Sequence, residues 1–352
     1  MRDVAVIGTS LLPTTYGSTA SEVELVQAVV SDALAKAGVE RSQVDFWCSG
    51  SADMLVGRPF TFVSALDAIG AWPPIAESHV EMDGAFALYE AWVRLLHGDT
   101  HVAVVYCFGQ SSQGDVRKVL TTQFDPYWVT PLWPDTISVA AMQAQALLDT
   151  GRYTERDFAA VAERSRNAAA GNERAQLRSS AAVDTLLQEP HIVRPLRRHA
   201  CPPIGDGAGA IVLATEEGLA RIGARPAAWI RGMDHRIEAH ELGARVLTDS
   251  PSTRLAAQQA GLGDGPVDLA ELHAPFAPQE LILRDALGLP EQTRINVSGG
   301  ALAANPIMVA GLARIAEAAE RVMAGDSKRA LAHATSGPAL QQNLVCIMEG
   351  RA

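Results

Sequence analysis

The feature that most constrains this 352-residue chain is that it reads twice. The strand-like run DVAVIG ending at Gly8 matches AAWIRG ending at Gly232, 224 residues later. ALAKAGVERSQVDF matches LAAQQAGLGDGPVDL, placing Gly38 on Gly261 and Asp45 on Asp268, 223 residues apart. LLHGDTHVAVVYCFG matches RVMAGDSKRALAHATSG, with Gly98 on Gly325 and Tyr106 on His333 at 227. Three nearly equal offsets in the same order define a duplicated half. Each half reads as strand, helix, short strand, helix, strand. Apolar residues fall at helical spacing in both (Val26, Val29, Val30, Ala33, Leu34; Leu312, Ile315, Ala316, Ala319), and VAVVYCF is the continuous apolar run of a strand buried on both faces. Alternating strands and helices predict an α/β fold: two similar halves in layered αβαβα packing, with helices between and outside two sheets.

The duplication also sets the boundaries. Residues 1–110 and 200–223 form the first half, the latter ending the strand signal GAGAIVLAT, and 224–352 form the second. Between them, 111–199 is an insertion of different texture: QFDPYWVTPLWPD is rich in proline and aromatic residues, and helical segments follow near 137–150 and 155–169. Such an excursion from a compact core serves as a lid, a substrate-binding region or a dimer contact. In it, Tyr127, Trp128 and Trp133 either wall a bulky apolar pocket or pack on a neighbouring subunit.

Charge and cysteine usage narrow the function classes. A formal net charge of -11 opposes an electrostatic grip on nucleic acid or an anionic membrane, with RPLRRHA (Arg194, Arg197, Arg198, His199) as a local basic exception. The four cysteines, Cys48, Cys107, Cys201 and Cys346, are far apart and form no CxxC pair, as expected of buried thiols in a reducing compartment. MRDVAVIG lacks the layout of a signal peptide, and no apolar run reaches the roughly 18 residues of a membrane span, so a cytoplasmic chain is expected. The histidines lack metal-ligand spacing, the first strand is not followed by a phosphate-binding glycine loop, and Ser49-Gly50-Ser51 lacks the GxSxG pattern. No metal or cofactor is expected.

One short stretch raises the chemical question. HVEMDGAFALYEAW puts Glu81 and Asp83 in a turn immediately before an amphipathic helix, where the helix dipole and unpaired N–H groups favour anions. Each acid suits either a helix cap or a ligand-facing role.

Together with IGDGAGAIVLAT, ELHAPFA, NVSGGALAANP and ALAHATSG, this stretch resembles the thiolase superfamily over nearly the whole chain. The resemblance is strongest to the sterol-carrier-protein-X-like and steroid side-chain aldolase branches. In that family the turn carries a nucleophilic cysteine, and the resemblance lays it on Glu81. A carboxylate is a poor acyl acceptor because its mixed anhydride hydrolyses readily, so the resemblance implies chemistry without a Cys acyl intermediate. The HEAF-type histidine falls on His273, an oxyanion donor or proton mover. The GHP histidine falls on Asn305, which cannot act as a base but can orient a carbonyl. The late cysteine falls on His333, paired with His273 or simply buried. Ser298, Gly299 and Gly300 would let backbone approach a pantetheine arm, and Asp83 would border the substrate.

The implied function is an acyl-CoA-handling enzyme acting on a carbon–carbon bond beside a thioester, as in retro-aldol cleavage of a bulky, steroid-like acyl-CoA, with acyl-CoA as substrate. The resemblance also implies a homodimer, or a heterodimer with a thiolase-like chain, and an OB-fold partner protein. Two alternatives stand: a non-catalytic subunit of a hetero-oligomeric acyl-CoA complex, and a divergent acyltransferase.

Overall fold

The computed structural model describes residues 3–179, 181–223 and 226–351. The boundary expected at 223/224 abuts residues 224–225, which lie outside the described residues, as do 1–2, 180 and 352.

The first half contributes strands β1 (Val4–Leu11), β2 (Phe46–Gly50), β3 (Glu77–Val80) and β4 (Val102–Gln110), with helices α1 (Glu22–Ala37), α2 (Thr61–Ile69) and α3 (Gly84–His97). The insertion holds α4 (Thr136–Asp149), α5 (Glu155–Ala168) and the small hairpin β5 (His191–Val193) and β6 (Leu196–Arg197). The chain then returns to the first half as β7 (Asp206–Thr215). The second half follows with β8 (Ala228–Ile237), α6 (Pro251–Gln259), β9 (Leu269–Leu272), α7 (Ala277–Leu287), β10 (Arg294–Ile295), α8 (Ala310–Met323), β11 (Arg329–Ser336) and β12 (Gln342–Gly350).

Helix ends follow local chemistry. Ser21 caps α1 in a capping box with Glu24, and Gly38 ends it at φ 58°. The insertion helices start and stop within a residue of the expected limits.

The strand order is β10-β9-β11-β12-β8-β1-β7-β4-β2-β3, a palindrome in which each strand of one half has its counterpart in the other. The expected two sheets are therefore joined: β1 and β8 pair antiparallel through Val4 with Ile230, Ala5 with Trp229 and Val6 with Ala228. Each is the inner edge of its half, and pairing the edges satisfies N–H and C=O groups that would otherwise be left bare.

The layers are those of the expected packing. Leu88, Ala91 and Leu95 of α3 and Leu312, Ile315 and Ala319 of α8 form an inner core with Val105, Leu213, Ile230 and Leu344 from both half-sheets. Helices α1 and α2 cover the outer face of the first half, against Ala5, Val104 and Val212. On the second half, α6 and α7 share an outer core with the insertion, whose Ala144, Leu147, Phe158 and Ala162 pack with Leu281, Ile282, Leu331 and Val345. The insertion thus interrupts the first half in sequence but packs over the second. Among the described residues no helix is long and apolar enough to cross a membrane.

Candidate functional site

The two inner helices are duplicates of one another, and they begin at the same side chain. Asp83, 2% exposed, caps α3 by accepting the Ala85 N–H at 2.9 Å. Its two oxygens also accept the N–H groups of Gly311 and Leu312 in the first turn of α8, both at 2.9 Å. One carboxylate therefore meets the N-termini of two helices, one from each half. Burial raises the Asp83 pKa, opposed by the three backbone N–H groups and the Arg314 charge. Because both oxygens accept, the anion is the form its neighbours satisfy. Gly84 follows because a Cβ there would lie 2.6 Å from Cys107 Sγ, and its N–H donates to Met308 O at 2.9 Å.

Above Asp83 opens a cavity of about 690 Å3, floored by His273, Asn305, Met308 and Thr335 and walled by insertion residues including Leu120, Ile137 and Ile192, with Ile204 just beyond the insertion. A volume of this size fits a small-molecule site.

The polar groups of the floor are wired in one direction. The Thr335 backbone N–H donates to His273 Nδ1 at 3.3 Å, so Nδ1 is an acceptor and the ring proton sits on Nε2. Nε2–H in turn donates to Asn305 Oδ1 at 3.3 Å. The Asn305 amide nitrogen has no hydrogen-bond partner among the described residues, and it offers its N–H groups to the cavity. Burial, then the neighbouring His333 and the Arg314 charge, depress the His273 pKa to about 3, so the imidazole is neutral. Arg314 is itself fixed beneath the floor by Glu271 at 3.0 Å and Ser298 Oγ at 2.6 Å.

His333 is adjacent to His273 without sharing its cavity. Its carbonyl accepts the His273 N–H at 3.2 Å, but its ring is fully buried behind the floor, with Nε2 bonded to Asn343 Oδ1 at 3.0 Å. Burial depresses its pKa to about 4.

Other expected site residues stand elsewhere. Glu81 lies outside the cavity lining; its side chain is half-exposed, bonded to His79 Nε2 at 3.1 Å and to the Asp53 N–H. The physical reason is position: Glu81 precedes the helix by three residues and turns outward, whereas Asp83 occupies the N-cap. Tyr127, Trp128 and Trp133 are 81%, 79% and 57% exposed and also lie outside the lining, so the aromatic wall is replaced by aliphatic insertion side chains. Ser298, Gly299 and Gly300 are buried away from the cavity. A Cβ at Gly299 would sit 2.6 Å from Ala169 Cβ, and Ser165 Oγ donates to Gly299 O. The paired glycines therefore admit the close approach of the insertion.

Sequence reasoning missed the arginines of the insertion wall. Arg166 and Arg198 line the cavity and, among the described residues, form no ion pair. Burial and the charge of Arg198 lower the Arg166 pKa, opposed by Glu189. Two guanidinium groups held near each other without a bonded carboxylate make a receptor for anions. Arg198 was part of the visible basic run, but two of its companions are otherwise engaged: Arg197 bonds Glu155 at 3.0 Å, and His199 bonds Glu189 at 3.0 Å.

All four cysteines are buried. Only Cys201 borders the cavity, and burial pushes its thiol up to about 12; the thiols of Cys48, Cys107 and Cys346 are also raised, first by burial.

No family model matches the chain. It is 26% identical to an acetyl-CoA acetyltransferase of Methanothermobacter thermautotrophicus over 371 aligned positions, covering 96% of this chain and 95% of the relative. Among solved structures it is similar to an Ltp2–ChsH2(DUF35) aldolase, with a TM-score of 0.80, 23% identity and coverage of 99% and 98% of the two chains. It is also similar to human mitochondrial 3-ketoacyl-CoA thiolase, with a TM-score of 0.81, 18% identity and coverage of 100% and 99%. The fold is thiolase-like, and thiolase-superfamily acyl-CoA enzymes are among the homologues of the chain.

Proposed function

We propose that the chain cleaves a carbon–carbon bond beside a CoA thioester by polarising the thioester carbonyl, with no acyl group transferred to cysteine. The observation that carries this reading is the floor of the cavity. At the shared start of the two inner helices Asp83 is committed to both helix ends, and beside it a neutral His273 orients Asn305, whose amide N–H faces the cavity.

In a retro-aldol cleavage, a base removes the β-hydroxyl proton and the oxygen's electrons close a ketone carbonyl. The bond between the α- and β-carbons then breaks, leaving its electron pair as the thioester enolate. The Asn305 amide donates to the enolate oxygen, held in place by His273. Protonation of the α-carbon completes a shortened acyl-CoA. Asp83 and Glu189 are the carboxylates bordering the cavity among the described residues, and in this reading the hydroxyl proton passes to one of them. Arg166 and Arg198 bind CoA phosphates in this reading, and the aliphatic insertion wall holds a bulky, steroid-like acyl group. The similar aldolase structure pairs two components, Ltp2 and ChsH2(DUF35); by analogy, an OB-fold partner completes this chain's acyl-CoA site.

The test is turnover of β-hydroxyacyl-CoA thioesters with polycyclic and short side chains, with and without such a partner, following released ketone and shortened acyl-CoA. Asn305→Ala is expected to lower kcat about 10²–10³-fold, the usual loss for one oxyanion donor. Full activity in both Asn305→Ala and His273→Ala, or an acyl adduct on a cysteine by intact mass, would overturn the reading. Two features favour the second reading, a non-catalytic subunit: His333 is sealed behind the floor and Glu81 is outside the cavity. Binding of CoA thioesters without turnover of any, with or without a partner, supports it.

A further inference from the structure

Met308 borders the cavity at φ 75°, in the left-handed region that a residue with a side chain rarely adopts. The backbone around it is held from both sides. Its carbonyl accepts the Gly84 N–H at 2.9 Å, and the preceding Ile307 carbonyl presses so close to Gly109 that a Cβ there would lie 1.8 Å from the oxygen. The conformation is thus imposed by neighbouring backbone, and glycine would meet it without strain.

Core packing does not account for the methionine either. Leu340 also borders the cavity at positive φ, 57°, but it is 2% exposed and belongs to the outer core of the second half. Met308 is only half-buried and belongs to none of the hydrophobic clusters of the described residues. Neither the backbone nor the interior favours a long side chain here, so the remaining neighbour is the cavity, at the end where Asp83, His273 and Asn305 meet.

We propose that Met308 is a specificity-determining residue that limits the bulk of the group next to the thioester carbon. The inference rests on the acyl-CoA reading of the cavity. A flexible thioether chain suits such a stop, because it fills irregular space next to different ligands.

The probes are S-(2-oxoalkyl)-CoA thioethers, which keep a carbonyl near the thioester position and carry a methyl, tert-butyl or cyclohexyl group beyond it. Binding is measured by calorimetry on the wild type, Met308→Gly and Met308→Ala, alongside thermal unfolding. Met308→Gly is expected to shift the cyclohexyl-to-methyl affinity ratio about tenfold towards the bulky ligand relative to the wild type. Met308→Ala, which shortens the side chain but keeps the strained φ, should move the ratio in the same direction and carries the test if the glycine variant does not fold. Met308→Gly should unfold at or above the wild-type temperature. An unchanged ratio in the folded variants overturns the inference and leaves the acyl-CoA reading intact. Failure of the wild type to bind any of the three overturns that reading, and the inference with it.

Discussion

The two buried histidines make a quantitative demand on stability. Burial holds His273 at about 3 and His333 at about 4 in the folded chain. In the unfolded chain both return to about 6.5. Below that value the unfolded state takes up protons that the native state refuses, so unfolding is favoured as pH falls, and above it the effect vanishes. Between pH 7.5 and 5.0 each histidine should remove about 2 kcal/mol, about 4 together, a large part of the 5–15 kcal/mol by which domains are usually stable. Raised pKa values at Asp83 and Glu271 act in the opposite sense, since a native carboxyl that binds its proton more tightly gains stability as pH falls. Single variants isolate the histidine share. Guanidinium unfolding of the wild type, His273→Asn and His333→Gln at both pH values should show each variant losing about 2 kcal/mol less than the wild type over this interval. Equal losses in all three would refute the assignment of the histidines as buried neutral groups.

Two further substitutions separate the acids of the opening turn. Asp83→Asn sets amide N–H groups against the helix N–H groups and should cost about 3 kcal/mol in denaturant unfolding, whereas near-neutrality would mean that Asp83 is already protonated. Glu81→Gln alters a half-exposed pair, and it should change stability by less than about 0.5 kcal/mol and leave turnover unchanged; a large loss of turnover would return Glu81 to the site.

How much of this was legible in the sequence depended on the range of the signal. The duplication, the insertion helices and the inner-helix stripes are periodic over many residues, and the structure keeps them. Short elements were not visible: β3 is ESHV, four partly exposed residues with no alternation, and β10 is only Arg294–Ile295. The pairing of β1 with β8 left no local mark, because edge-to-edge contact depends on where each half ends and not on the composition of either strand. Motifs singled out His273, just past the end of β9, and Asn305, in the loop before α8, and both border the cavity. The site was less legible where direction mattered. His333 occupies a strand position whose side chain points to the outer core, and the role of Asp83 emerges only when two helices converge on it, one of them through Gly311, 228 residues further along the chain. The positive φ at Met308 likewise follows from contact with Gly84 and Gly109, which no nearby residue announces.

That convergence also constrains the chemistry. Two helix N-termini aimed at one point would together present about one unit of positive charge, a strong stabiliser of a developing oxyanion. Here Asp83 already fills that role, because its two oxygens accept N–H groups from both helices. The charge at the helix ends is neutralised before any substrate arrives, and the same carboxylate repels a second anion placed beside it. In the proposed cleavage, stabilisation of the enolate would therefore come from groups not committed to Asp83. On the cavity floor the donor that meets this condition is the Asn305 amide, positioned by a histidine whose own proton is spent in holding it. Replacing the acid with a neutral side chain of the same shape should accordingly loosen the fold and, at any pH where the variant stays folded, ease the approach of anions to the helix ends.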